Sequence, residues 1–263
     1  MGAKSKLSIV LLAWSLTGFA SAALIHDYEL NGTLSDALGG PALAPFNRNG
    51  GTNGAIGPTG FTFPWNAGLQ LSNGLADAGN YAVEMRFTLD SITNNGGPRG
   101  TSWPWVRLLD FKNGATDLGL YDYNGAVQFY PFVTGSGIFA AGQPVDIIIT
   151  RNGSTNHFDV YAAGVNVLAL ADSNGDAIFS TPNNVMNFFV DDTAFPDEAS
   201  SGSVDLIRIF SAPLTADEAS CLQTGSPQAC GIPTGSIPEP ASFALVVLGL
   251  AGLGAFRRRR TYF

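Results

Sequence analysis

The chain has 263 residues, with 32 glycines, 45% hydrophobic residues, only 13% charged residues and a formal net charge of −8. An acidic excess repels phosphate backbones, so nucleic acid is excluded as a partner. The length suits one all-β domain with targeting segments at its ends.

The N-terminus opens on Lys4 and Lys6, followed by the apolar stretch 7–19 and the small-residue site Ala20-Ser21-Ala22. That order is a secretory signal peptide over residues 1–22 and not a membrane span. Charge changes meaning once the ends are set aside. Six of the 13 basic residues (Lys4, Lys6 and Arg257–Arg260) and one acidic residue, Glu239, lie in the ends. The body therefore keeps 20 acidic and seven basic side chains, a net charge near −13.

From Ala23 onward the chain reads as strands. Turn signals such as Asn-Gly recur every ten or so residues, the rhythm of a sandwich or barrel. Residues 23–30 alternate, 39–60 read as loop, and 68–71 as a short strand. Residues 81–89 have a strict period of two, with Tyr81, Val83, Met85, Phe87 and Leu89 on one face and Glu84, Arg86 and Thr88 on the other. Strands are then predicted over 105–111, 117–121, 126–130, 145–151, 157–162, 185–190 and 203–210. Asn113-Gly114, Asn124-Gly125 and Asn152-Gly153 supply hairpin turns. Thr215 and Glu218 form a capping box for one helix over 215–223. In an oxidising compartment Cys221 and Cys230 pair as a disulfide.

Residues 146–153 followed by 158–164 resemble the central hairpin of laminin-G-like, concanavalin A-like domains. Residues 202–210 with Pro213-Leu214-Thr215-Ala216-Asp217-Glu218 resemble their closing strand and short helix. Gly142-Gln143-Pro144 departs from that pattern, since many relatives carry a Trp there. The resemblance implies an antiparallel jelly-roll sandwich over 23–225, with a linker over 226–237. That superfold hosts both lectin-type binders and glycan hydrolases, so function must come from the site.

Hydrolysis of a glycan needs two carboxylates roughly 5–10 Å apart. No strand carries such a pair on one face; Asp27 and Glu29 come nearest and read as solvent-facing, and Glu84 stands alone. His26 and His157 sit in strands without a nucleophile elbow and read as structural or surface residues. The expectation is a non-catalytic binding protein, with a glycan-active hydrolase or a purely structural matrix component as the alternatives. Asp191, Asp192, Asp197 and Glu198 crowd four carboxylates into eight residues, which suits a calcium ion or a solvated turn. The calcium reading takes Asp191, Asp192 and Glu198 as ligands, and Asp172-Ser173-Asn174-Gly175-Asp176 resembles part of a second calcium loop. Phe61, Phe63, Trp65, Trp103 and Trp105 either fill the sandwich or present rings to sugars. Trp103 is the binding candidate, because it precedes the alternating run that starts at Trp105.

The chain closes on Pro238-Glu239-Pro240, sixteen uncharged residues over 241–256, and Arg257-Arg258-Arg259-Arg260. A helix over that apolar run would be roughly 24 Å long, close to a bilayer core, with the arginines held on the cytoplasmic side. The three-part pattern over 238–260 resembles the PEP-CTERM sorting signal. The resemblance implies an exosortase-type membrane protease as partner and a transient stay in the inner membrane. It also implies delivery of the body to the cell surface or extracellular matrix. There the body is expected to meet a polysaccharide or a surface protein.

Overall fold

A computed structural model describes residues 21–48, 50–97, 103–193 and 197–235. The signal peptide up to Ala20 and the sorting segment with its apolar run 241–256 lie outside the described residues. Among the described residues no helix is long and apolar enough to cross a membrane.

Fifteen strands and one helix are described. They run β1 (Leu24–Tyr28), β2 (Ala44–Asn47), β3 (Ala55–Gly57), β4 (Gly60–Phe63), β5 (Ala67–Leu71), β6 (Tyr81–Leu89), β7 (Trp105–Asp110) and β8 (Gly119–Tyr123). Then follow β9 (Ala126–Tyr130), β10 (Val133–Gly137), β11 (Pro144–Asn152), β12 (His157–Ala162), β13 (Val165–Ala171), β14 (Met186–Phe188), β15 (Gly202–Phe210) and α1 (Ala216–Leu222). One sheet has the order β13-β12-β11-β6-β15-β4-β3, with β1 also pairing β15. The other has the order β10-β9-β8-β7-β14-β5-β2. The strand pairs are antiparallel, and the architecture is the expected all-β jelly-roll sandwich.

The core between the sheets follows from period-two alternation. The predicted apolar face of β6 is buried against Ile147 and Ile149 of β11 and against Phe129, Leu120 and Phe188 from the opposite sheet. Asn124 (φ 50°) and Gly125 (φ 93°) make the two-residue turn between β8 and β9, since both positions need a left-handed backbone that Asn and Gly tolerate. A smaller core lies beneath α1, where Leu24, Ile148, Phe210, Leu222 and Ile232 pack on the outer face of the eight-stranded sheet. The capping box of Thr215 and Glu218 forms at the start of α1, and Cys221 is bonded to Cys230.

Residues 39–60 are mostly loop as expected, with two short strands set in them, β2 and β3, both exposed or half-buried and without apolar alternation to announce them. Two expectations differ from the structure. Residues 226–237 are not a free linker as far as they are described. Ile232 is 2% exposed, and Leu24 donates its backbone N–H to the Pro233 carbonyl at 2.8 Å. Asp27 is not simply solvent-facing: Glu84 is buried and paired with Arg208 at 3.3 Å. Arg208 in turn reaches Asp27 at 3.0 Å, so Asp27 belongs to this ladder and not to a catalytic pair with the exposed Glu29.

Candidate functional site

The seven-stranded sheet packs one face in the core; on its other face Arg107, Asp110, Tyr121 and Asn187 are covered as well, and the end with Trp105, Tyr123 and Tyr130 is part-exposed. Its outer face carries two adjoining rows, Tyr130–Gly119–Asp110–Asn187–Gln70 and Gln128–Tyr121–Arg107, with Tyr123 and Trp105 paired beyond them. A register shift between Arg107 and Leu109 in β7 leaves Leu108 and Leu109 both buried. This bulge sets Arg107 and Asp110 on the same outer face, which regular alternation would not do. Gly119 leaves room for the arginine, since a Cβ there would stand 2.5 Å from Arg107 Nη1.

Half-buried rings gather at one end of this face. Trp105 lies 4.7 Å from Tyr123, 5.4 Å from Trp103 and 6.3 Å from Tyr130, centroid to centroid. Trp105 Nε1 donates to Gln128 Oε1 at 2.8 Å, and Gln128 Nε2 donates to Thr134 Oγ1 at 3.0 Å. The indoles are thereby fixed by polar partners while their rings stay part-exposed. Trp103 Nε1 donates to Glu198 Oε1 at 3.0 Å.

Beside the rings lies a buried charge cluster. Arg107 is fully buried; its Nε donates to Asp191 Oδ1 at 3.0 Å, its Nη2 bonds Asp192, and its Nη1 donates to the Leu118 carbonyl at 3.0 Å. The guanidinium also sits 4.4 Å over the Tyr121 ring. Burial opposes the charge on Arg107, but Tyr121 and the Asp191, Asp110 and Asp192 carboxylates outweigh it and hold it charged. Burial pushes the Asp191 carboxyl up to about 7, against the pull of Arg107. Glu198 is pushed up to about 8, chiefly by burial and then by Asp191, while the bond from Trp103 pulls the other way. Asp117 is raised by burial and accepts from Tyr121 Oη at 2.8 Å and from Arg107 Nη2 at 3.4 Å.

The sequence-predicted residues fall as follows. Asp191, Asp192 and Glu198 do come together, but the cation between the two aspartates is Arg107. Among the described residues no group of three or more His, Cys, Asp or Glu side chains is disposed to hold a metal ion. The 172–176 loop likewise has protein cations: Arg151 Nε donates to Asp172 Oδ2 at 2.6 Å, and Lys112 Nζ donates to the Gly175 and Ile178 carbonyls at 3.0 and 2.9 Å. His26 is held by Asp36 at 2.7 Å and the Gly74 carbonyl at 3.0 Å, a structural arrangement, and His157 is exposed. Phe61 and Phe63 are core residues, and Trp65 donates to Asn94 at 2.6 Å. Trp103 joins the ring cluster. Trp105 was weighed in the sequence but ranked below Trp103, and Tyr123, Tyr130 and Gln128 were not singled out. Their signal is aromatic and amide residues at alternate positions with Val106, Leu120, Val127 and Phe129 between them; it becomes legible only once those apolar residues are known to face the core. Pro238, Glu239, Pro240, Arg257, Arg258, Arg259 and Arg260 lie outside the described residues.

Residues 236–260 match the family model of the PEP-CTERM protein-sorting motif. The chain thus carries a signal for export and sorting toward the cell surface, and the motif implies processing by an exosortase. No curated protein matches the chain by sequence. Among solved structures it is similar to domain 4 of AbnA, a GH43 extracellular arabinanase from Geobacillus stearothermophilus, in complex with arabinotriose. That match has a TM-score of 0.52 and 20% identity over 78% of this chain and 100% of that one. A Trypanosoma rangeli sialidase in complex with a difluoro-KDN matches with a TM-score of 0.56 and 15% identity, over 79% of this chain and 33% of the sialidase. The botulinum neurotoxin serotype D ligand-binding domain in complex with N-acetylneuraminic acid gives 0.51 and 14%, over 78% of this chain and 51% of that one. At these identities the likeness is one of fold.

Proposed function

We propose that the body is a non-catalytic binding module which holds an extracellular polysaccharide on the outer face of the seven-stranded sheet. The observation that carries this reading is the cluster of part-exposed Trp103, Trp105, Tyr123 and Tyr130, pinned by Gln128 and Glu198. Rigid aromatic anchors flanked by fixed polar groups suit the apolar faces and hydroxyl rims of sugars. Three structural relatives bound to sugars or sugar derivatives agree with it, by analogy of fold.

The hydrolase alternative is disfavoured by one feature. The acids beside the rings are already engaged, Glu198 accepting from Trp103 Nε1 and Asp117 from the Tyr121 hydroxyl and Arg107, whereas hydrolysis needs two carboxylates presented on either side of a sugar. Export and sorting would place the module among matrix polysaccharides and surface proteins, and the sorting protease would act on the tail. The test is retention of the purified protein on gels loaded with the producing cell's exopolysaccharide. Retention that is lost in Trp105→Ala supports the reading. Equal retention of wild type and variant, or release of reducing sugar during the run, overturns it.

A further inference from the structure

Trp65 lies outside the ring cluster, at the corner where β4 gives way to β5. Its indole is fixed, because Nε1 donates to Oδ1 of the buried Asn94 at 2.6 Å. Gly96 and Gly97 back the ring: a Cβ on the first would stand 2.7 Å from Trp65 Cγ, and on the second 2.8 Å from Cζ2. Trp65 is half-buried and borders a hollow of about 240 Å³, together with Asn47, Gly51, Thr52 and Pro64.

Thr52 and Pro64 also border a trough of about 450 Å³, so the two spaces adjoin. Register sets the floor of the trough. Thr62 of β4 pairs with Ser203 of β15, and their neighbours Phe61, Phe63, Gly202 and Val204 are buried, so both hydroxyls lie on the outer face of the eight-stranded sheet. Asp90 and Asn53 complete the polar lining. Thr52, Asn53, Thr62 and Asp90 are exposed and Ser203 is half-buried, so these groups are open to a ligand.

The walls are held by the fold. Asn47 Nδ2 donates to the Thr52 carbonyl at 3.0 Å, and its Oδ1 accepts from the Gly51 N–H at 3.2 Å. Gly54 lets this loop press on β4, since a Cβ there would strike the Thr62 carbonyl and the Phe61 ring. Asp90 Oδ2 accepts from Ser201 Oγ at 2.6 Å, which orients the carboxylate.

The chemistry of the lining selects the occupant. A fixed, part-exposed indole suits the apolar C–H face of a sugar. Hydroxyls and amides both donate and accept, and a carboxylate accepts from hydroxyls, so the trough matches a molecule rimmed with hydroxyls. Among the described residues lining the two spaces there is no Lys, Arg or His. An acidic ligand would meet the Asp90 carboxylate with no cation to offset the repulsion. A hydrocarbon would desolvate the polar rim without pairing it.

We propose that the hollow and the trough form a second carbohydrate-binding site. It takes a neutral oligosaccharide, with one sugar stacked on Trp65 and the next hydrogen-bonded by Asp90, Asn53 and Ser203. None of these residues belongs to the ring cluster, so the site does not rest on glycan binding there. One ring against four makes it the weaker of the two.

The experiment titrates the purified protein with arabinotriose, cellotriose and mannotriose, and with trigalacturonate as the acidic counterpart, and follows backbone amide shifts by NMR. At least one neutral probe should give saturable shifts at 51–54, 62, 63, 65 and 90, with a Kd on the order of 10 mM, as fits a small ligand on one ring. Trigalacturonate should leave these residues unshifted. Shifts at 103, 105, 123, 128 and 130 report the ring cluster separately, so either site can fail while the other stands. Trp65→Ala should abolish the first set of shifts. Asp90→Ala changes an exposed side chain, should keep its melting temperature and should weaken binding about fivefold, the loss of one hydrogen-bonding group. No saturable shift at 51–54, 62, 63, 65 and 90 with any neutral probe, equal binding of trigalacturonate, or undiminished binding in folded Trp65→Ala or Asp90→Ala would each overturn the proposal.

Discussion

Arg107→Met is predicted to be among the most damaging single substitutions in the body, and its cost is predicted to depend on pH. The replacement keeps the length of the side chain but takes from Asp191 and Asp192, both fully buried, the guanidinium that stands between them. Removing one partner of a buried ion pair costs about 3–5 kcal/mol. That is a large share of the ~5–15 kcal/mol that holds a typical domain folded. At about 2–4 °C per kcal/mol for a body of this size, the melting temperature should fall by roughly 6–20 °C. The pH dependence follows from Asp191, whose carboxyl is raised to about 7 in the folded state. An acid raised on folding binds a proton that the unfolded chain has released, so the stability it contributes at low pH is lost between about 4 and 7. Without Arg107 that acid rises further and the slope steepens. Urea unfolding should therefore show a small loss for Arg107→Met near pH 4.5 and the full loss near pH 8. Adding Asp191→Asn and Asp192→Asn should recover part of it. A loss below about 1 kcal/mol at pH 8, or the same loss at both pH values, would refute the reasoning.

The other predictions are more local. Asp122 is buried on the core side of β8, accepts from the Gly125 N–H at 2.6 Å and is held up to about 8 by burial. Asp122→Asn keeps that acceptor and cannot ionise. It should therefore gain about 1–3 kcal/mol over wild type in urea melts as pH rises from 5 to 8; parallel pH profiles would count against it. Calcium at millimolar concentration should leave the melting temperature unchanged, because Arg107 already stands between Asp191 and Asp192. A rise that disappears in Asp191→Ala would restore the calcium reading. Replacing Pro238-Glu239-Pro240 with alanines should leave full-length precursor in the inner membrane on immunoblots, and normal processing would remove the sorting account.

Long runs of clean alternation were legible in the sequence because period-two burial is a local property. β6, β9 and β12 came from that signal, and the capping box from the equally local spacing of Thr215 and Glu218. β13, absent from the sequence reading, is Val-Asn-Val-Leu-Ala-Leu-Ala, apolar on nearly every residue and so without a readable period. The register shift in β7 was equally hidden, because nothing in Trp-Val-Arg-Leu-Leu-Asp marks which leucine is the extra one. The acid cluster at 191–198 was visible, but its counter-ion was not. Arg107 lies 84 residues from Asp191, and only the pairing of β7 with β14 brings them together. The ring site had the same difficulty, since Trp105, Tyr123 and Tyr130 come from three strands and only sheet pairing makes them neighbours.

The central claim is that those rings hold a glycan, and the most direct test is equilibrium binding to a panel of soluble oligosaccharides from the exopolysaccharide. Wild type, Trp105→Ala and Trp103→Ala should be compared side by side by calorimetry. The account predicts measurable affinity for at least one oligosaccharide. Trp105→Ala should weaken it by roughly thirtyfold, the ~2 kcal/mol expected of a central aromatic anchor, with a smaller loss for Trp103→Ala. Affinity unchanged in Trp105→Ala, or no binding across the panel by a folded wild-type protein, would contradict it.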